Sequence, residues 1–403
     1  MRDILRNRLF LAISIGHMMV DVLNSAIPII LATLAIQLGL RNEQLGLAAL
    51  VYSFGGSLTQ PLFGYVADRW GSRWLAAGGL WWMAGFYLIA ALLSPQAAFV
   101  VLLLVGLGSA AYHPQATMNA RLASGDMAAS GTSLFFLFGQ LGLAGGPLVA
   151  GVLLKQVGLS ATLLVLGAPA LLVGFWIWRV VVPRHTDAAA ATRKRTATTS
   201  ALRLAWPVMA AFVLLLVFRM WPQAATQTFL PKLMGDAGIS PDRYGFTLSF
   251  LMAGAAIGGV LGGYLADRWS AKWTMVLSLA LSALPLWVYL QLPLTHPLVP
   301  VLVGMAGLLL GASHSILVLM AQSMLPNRMA LASGLVLGFM FSAGSAGGYL
   351  TGRLADIIGL HAALEWLALV ALAGAACALF MPRRRELEAA ALQQQLAQPV
   401  AGE

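Results

Sequence analysis

Charge is what this chain has least of. Only 9% of its residues are Asp, Glu, Lys or Arg, against about 25% in an ordinary soluble domain. With 60% hydrophobic residues, a soluble fold could not cover its apolar surface, so most of the chain must face lipid or other apolar helices. Cysteine is nearly absent. The single Cys377 excludes an internal disulfide and a cysteine metal cage, and reads as a small apolar residue in the last span. No nucleophile–base cluster stands out, so a hydrolytic enzyme is not expected. The weak alternating segments of about ten residues that mark a membrane β-barrel are missing. The first apolar run is too long for a signal-peptide core and lacks a small-residue cleavage site, so it is expected to stay as the first helix.

What is present is a series of long apolar runs between short polar breaks. Each reaches the roughly 20 residues that a transmembrane helix needs. Twelve are readable, at 9–36, 44–67, 74–93, 97–122, 130–154, 160–182, 203–230, 244–266, 273–292, 298–325, 331–356 and 361–381. Residues 183–202 are polar, basic and rich in Ala and Thr, the composition of a flexible connector. The chain therefore divides into a six-helix bundle at 1–182, a linker at 183–202, a second six-helix bundle at 203–383 and a polar tail at 384–403.

The net charge of +10 is a topology signal and not a nucleic-acid footprint. Arg2, Arg6, Arg8, Arg69, Arg73, Arg121, Arg179, Arg184, the 193–195 cluster, Arg203, Arg268, Lys272, Arg328 and the 383–385 cluster fall in alternate loops and at the termini. Only Arg41, Lys155, Lys232, Arg243 and Arg353 fall on the other side. That asymmetry follows the positive-inside rule and places both termini and the linker in the cytoplasm.

The two halves echo each other. "GYVADRWGSRW" at 64–74 returns as "GYLADRWSAKW" at 263–273, an offset of 199 with seven of eleven positions identical. His113 and His314 lie 201 apart, and "QVGL" at 156–159 matches "IIGL" at 357–360. Offsets near 200 indicate two six-helix repeats of the same orientation, the arrangement of major facilitator transporters. Gly64, Asp68, Arg69, Gly71 and Arg73 match the loop 2–3 signature of that superfamily, which the chain resembles throughout. The resemblance implies gate latches. Asp68 would bond the start of helix 11 when the cytoplasmic side is closed, and Asp267, beside Arg268, would do the same against helix 5. Ser270 replaces the signature glycine in the second copy. "GLAGGP" at 142–147 resembles the helix-5 element of antiporters. Gly142 and Gly146 make a small-residue packing face, and Pro147 can bend the helix. Arg121, at the cytoplasmic end of helix 4, belongs with the gating residues.

Only Asp21 and Arg219 place a charge deep within the expected spans. Each costs about 2.5–3.5 kcal/mol at mid-bilayer, so each must face a cavity or a partner. His17, Asp21 and Asn24 share one stripe of helix 1, and Arg219, Gln223 and Gln227 one stripe of helix 7. With Gln140, His113 and His314 they suit a central cavity in which Asp21 and Arg219 pair across the two halves. If substrate takes Arg219, Asp21 is freed to bind a proton. No local spacing favours a metal site, and no cofactor is expected.

"GHMMVDVLNSAIP" at 16–28 and "YHPQATMNARLASG" at 112–125 resemble the fosmidomycin-resistance family within the superfamily. That resemblance implies a proton-driven exporter of small polar or anionic drugs in a bacterial inner membrane. Asp21, His17 and His113 would carry protons. Arg219, Asn24, Gln115, Gln140, Gln223, Gln227 and His314 would hold substrate. Gln115 stands where the resistance proteins carry Glu, so one possible proton carrier is missing. Small-molecule substrate, protons and lipid are the expected partners, with the chain a monomer. Uptake of an organic anion, lipid flipping and a non-transporting sensor are the rival readings.

Overall fold

The computed structural model describes residues 2–182, 206–324 and 329–382, without the side chains of 2–3, 68–70, 128–129 and 329–331. The linker and the tail lie outside the described residues. The rest is helices joined by short turns. Eight helices are long and apolar enough to cross a membrane. Two of these run for 51 residues, about 77 Å at 1.5 Å per residue, more than twice a hydrocarbon core of about 30 Å. Each is therefore two spans. The first breaks at Gly158, whose φ of 77° only glycine adopts cheaply. The second breaks at a π-helical turn, Ala266–Ser270, where Ser270 is extended.

The rods among the described residues number twelve. They are α1 (Arg8–Gln37), α2 (Asn42–Ser57 continued by Gln60–Trp70), α3 (Ser72–Ala91) and α4 (Pro95–Leu102 continued by Val105–Ala123). Then come α5 and α6, the two parts of Ala128–Val180, followed by α7 (Trp206–Asp236), α8 (Pro241–Leu265) and α9 (Ala271–Gln291). The last are α10 (Leu298–Gly311 continued by His314–Met324), α11 (Met329–Ile358) and α12 (Leu360–Leu379). Local chemistry sets several ends. Asn7 caps α1, its Oδ1 accepting from the amides of Leu9 and Phe10, and Ser94-Pro95 opens α4 with a hydroxyl cap and a proline in the first turn.

Within the first six rods α1 packs on α5, and α3 on α4 and α6; within the last six α7 packs on α11 and α12, and α8 on α10. Two seams, α2 against α11 and α5 against α8, join the sets. One end of these seams is tight. Asp356, at the end of α11, caps α2 in trans: its carboxylate accepts from the backbone amides of Asn42 (2.9 Å) and Glu43 (3.0 Å) and from Asn42 Nδ2 (2.9 Å). Tyr349 donates to Glu43 (2.9 Å), Lys155 of α5 pairs with Asp242 of α8 (2.8 Å), and Thr33 of α1 meets Tyr244 of α8 (2.9 Å). Lys155 and Asp356 are 201 residues apart, so the two fastenings occupy matching places in the repeats with opposite chemistry. Among the described residues the polar ties thin out towards the other end, where Ser53 donates to the Phe341 carbonyl (3.2 Å).

The trans cap should bias the equilibrium between open states. Asp356→Ala removes an N-cap worth about 1 kcal/mol, or about five-fold in an equilibrium constant. Spin labels at Leu38 and Ile357, in a Cys377→Ser background, are expected to show a larger fraction of molecules parted at this end. An unchanged distance distribution would mean that Asp356 holds nothing shut.

Candidate transport site

Helix α1 positions the central group. Three glycines of α5 lie against it. A Cβ at Gly139 would land on the His17 ring and 2.7 Å from Asp21 Oδ2; one at Gly142 would meet the Met18 carbonyl and Asp21 Cβ; one at Gly146 would meet Ser25 Oγ and the Val22 carbonyl. Only bare backbone lets α5 come this close. The approach brings the Phe135 carbonyl within 3.0 Å of His17 Nδ1 and stacks the Phe135 ring on the imidazole.

The result is a closed polar cluster. His17 Nε2 lies 3.2 Å from Asp21 Oδ2, and His113 Nε2, from α4, 3.5 Å from Asp21 Oδ1. His113 Nδ1 faces the Ser109 carbonyl at 2.9 Å. Asn24 donates to Ser109 Oγ (2.8 Å) and to Asp21 Oδ1 (3.4 Å), and accepts from the Tyr52 hydroxyl of α2 (2.5 Å). Asp21 is 6% exposed, while the His113 side chain keeps 26%, which gives the cluster one wet side. The three acid–base groups have donor atoms within 4.8 Å of one another, close enough to share one small cation or a proton.

The expected Asp21–Arg219 pair is not made. Arg219 is 1% exposed and turns to α10, its Nε donating to the Leu310 carbonyl (3.2 Å) and one Nη to Met220 Sδ (2.7 Å). Among the described residues no carboxylate lies within ion-pair distance of it. The 199-residue offset sets Met220, not Arg219, opposite Asp21. One residue along a helix turns a side chain by about 100°, enough to aim Arg219 elsewhere.

The other expected substrate residues scatter around this core. Gln115 is 3% exposed, Gln140 is exposed, and His314 is half-buried at the break in α10, its ring 6.3 Å from that of Phe341. Gln227 Nε2 reaches Met252 Sδ (3.6 Å), and Gln223 Oε1 is buried with no protein partner.

The gating residues fare unevenly. Asp68 and Arg69 have side chains outside the described set. Gly71 takes φ 86° between α2 and α3, so the turn needs glycine. In the second copy Ser270 is extended and its hydroxyl accepts from Trp273 N, so a helix cap replaces the glycine turn. Gly64 does not serve a close approach: a Cβ there would meet nothing within 4 Å, because α2 faces open space at that level. Arg73 ties α3 to α6, donating to the Val181 carbonyl (2.7 Å) over the Trp178 ring. Arg121 is exposed in the last turn of α4. Asp267 is exposed and, among the described residues, makes no bond to α5, and Arg268 lies over Tyr264. Pro147 is buried in an unbroken helix, its carbonyl beside Gly245 of α8. Sequence reasoning missed Tyr52, Ser109, Gly139 and the tight-end pairs. A tyrosine in mid-span was one available signal, because a buried hydroxyl needs a partner.

Twelve membrane rods with a buried acid–histidine cluster on one half and a buried cation on the other make a multi-pass membrane transporter. The Major Facilitator Superfamily family model matches residues 9–231 and again 212–402, and the chain belongs to that superfamily. It is 28% identical over 382 residues to the fosmidomycin resistance protein of Escherichia coli (strain K12), covering 93% of this chain and 92% of the relative. It is also 28% identical over 361 residues to the uncharacterized MFS-type transporter YfnC of Bacillus subtilis (strain 168), covering 87% of each. Among solved structures, a bacterial homolog to the human lysosomal transporter Spinster, in an inward-facing and occupied conformation, superposes with a TM-score of 0.73 at 16% identity, covering 97% of this chain and 96% of that one. The nucleoside transporter NupG superposes at 0.72 and 16% identity, covering 92% and 98%. Both likenesses concern the fold.

Proposed function

We propose that the protein exports a small polar anion across a bacterial inner membrane in exchange for protons, by alternating access between its two six-helix halves. The observation that carries this reading is the separation of roles. A carboxylate flanked by two histidine nitrogens sits on one half, and a buried cation with no carboxylate partner among the described residues sits on the other. The anionic group of the substrate binds Arg219 by charge-assisted hydrogen bonds. Its donor groups bind the bare Nε2 atoms and the carboxylate of the Asp21 cluster. Protons need those same acceptors, so substrate and protons exclude each other, which is the condition for antiport. The name of the Escherichia coli relative supports efflux. Basic loops on the inside would turn the tight end outwards and let this form of the carrier open towards the cytoplasm.

The unmade Asp21–Arg219 pair favours one second reading. A substrate without donor groups does not compete with protons. It binds Arg219 better when the cluster is protonated and positive, and it travels with the protons as a symport.

Inside-out vesicles containing the protein decide between them, with fosmidomycin as the probe. Antiport predicts accumulation when the lumen is more acidic than the bath. Symport predicts accumulation under the opposite gradient. Binding without gradient-dependent flux under either sign would end the proton-coupled reading.

A further inference from the structure

Hydrogen-bond accounting at the Asp21 cluster yields a number. A backbone carbonyl can only accept. His17 Nδ1 faces the Phe135 carbonyl at 3.0 Å, and His113 Nδ1 faces the Ser109 carbonyl at 2.9 Å with the Ser109 hydroxyl farther off at 3.2 Å; against the nearer carbonyl each ring holds its first proton on Nδ1. The neutral ring then presents a bare lone pair at Nε2. Both Nε2 atoms face Asp21, on different oxygens, at 3.2 Å and 3.5 Å. A lone pair facing a carboxylate oxygen repels it, and one added proton turns each such contact into a charge-assisted hydrogen bond. Two contacts of this kind stand side by side.

We propose that the Asp21 cluster is a two-proton site, in which His17 Nε2 and His113 Nε2 each take one proton against a different oxygen of the same carboxylate. The cluster then cycles between a net charge of −1 and +1. Its transport consequence rests on the proton-antiport reading above; its proton count does not.

Among the described residues the neighbouring polar groups are engaged in contacts of their own. Helix α5 brings Phe135, Phe136 and Gly139 to the cluster. The hydroxyls of Tyr52 (α2), Tyr87 (α3) and Tyr112 (α4) donate to Asn24 Oδ1, the Leu23 carbonyl and the Ile13 carbonyl, and Tyr244 (α8) meets Thr33. From α7, Arg219 donates to Leu310 and Lys232 pairs with Asp236. Arg6 and Arg8 are exposed near the start of α1.

The test reads the rings directly and needs no substrate. The purified full chain, labelled with 15N-histidine in lipid nanodiscs, is followed by NMR from pH 10 to pH 5, with His17→Gln and His113→Gln assigning the resonances. The expected result is that both rings are Nδ1–H tautomers when neutral and that each gains an Nε2 proton in a separate step. An Nε2–H tautomer in either neutral ring, or a single ring gaining a proton over the range, would overturn the proposal. Transport supplies an independent arm: in vesicles, two protons should move per fosmidomycin in the unaltered protein and one in His113→Gln. A ratio of one in the unaltered protein overturns the two-proton site but keeps the antiport. Two ring protonations with no gradient-dependent flux keep the site and overturn the antiport.

Discussion

Asp21→Asn is expected to reduce gradient-driven transport to background, a loss of at least about 100-fold, while the protein stays folded and still exchanges substrate across the membrane. The amide has the shape of the carboxylate, so the packing of α1 on Gly139 and Gly142 is kept. Its Nδ2 can donate to one bare histidine nitrogen and its Oδ1 can accept from Asn24, so the cluster is not left with an orphaned buried group. What the amide cannot do is stabilise the added protons on His17 and His113, because it carries no charge. Proton binding and substrate binding then lose their mutual exclusion, and the gradient has nothing to act on. Exchange of labelled for unlabelled substrate asks only that the loaded carrier turn over, so it survives. Thermal stability in detergent, counterflow and gradient-driven accumulation, measured on one preparation, separate these outcomes. Accumulation equal to that of the unaltered protein would remove Asp21 from the coupling mechanism. Loss of counterflow as well would mean that substrate needs the charge of the carboxylate, and not only an acceptor oxygen, to be held.

Features written along a single helix were legible in the sequence, and features made between helices were not. The apolar runs follow from the length needed to cross a bilayer, and they reappear as the twelve rods. His17 and Asp21 are four residues apart on one helix face, and they meet at 3.2 Å. His113 was visible as a polar residue in an apolar span, but that it closes on the same carboxylate depends on how α4 packs beside α1. The pairing of Asp21 with Arg219 rested on the repeat offset. That offset preserves depth in the membrane but not rotation about the helix axis, and a shift of one residue sent Arg219 to Leu310. Gly142 and Gly146 were readable as a small-residue face, but Gly139, the one under the histidine ring, takes its meaning from the ring above it. The charge of Lys155 carried only topology in the sequence, and Asp242 and Asp356 carried no reading at all. Their pairing across the seams came from tertiary contact alone.

Arg219→Gln should separate stability from function in the opposite way to an ordinary buried ion-pair mutant. Removing one partner of a buried pair costs about 3–5 kcal/mol, because the other charge is stranded. Arg219 has no such partner among the described residues. Of the five N–H donors of a guanidinium, one reaches the Leu310 carbonyl and one the Met220 sulfur, which leaves three. Burying this cation at 1% exposure is a standing cost, and glutamine removes it while still offering two N–H donors to Leu310. The melting temperature of the variant in detergent is therefore expected to stay level or to rise. Transport of an anionic substrate is expected to fall by more than about 100-fold, the loss of roughly 3 kcal/mol of charge-assisted binding. Arg219→Lys keeps the charge but not the planar fork, and should retain partial activity, about ten-fold down. A clear drop in melting temperature for Arg219→Gln would assign Arg219 to holding α7 against α10. Unchanged anion transport in a stable Arg219→Gln protein would move the anion site elsewhere in the cavity, with His314 the next basic side chain to replace.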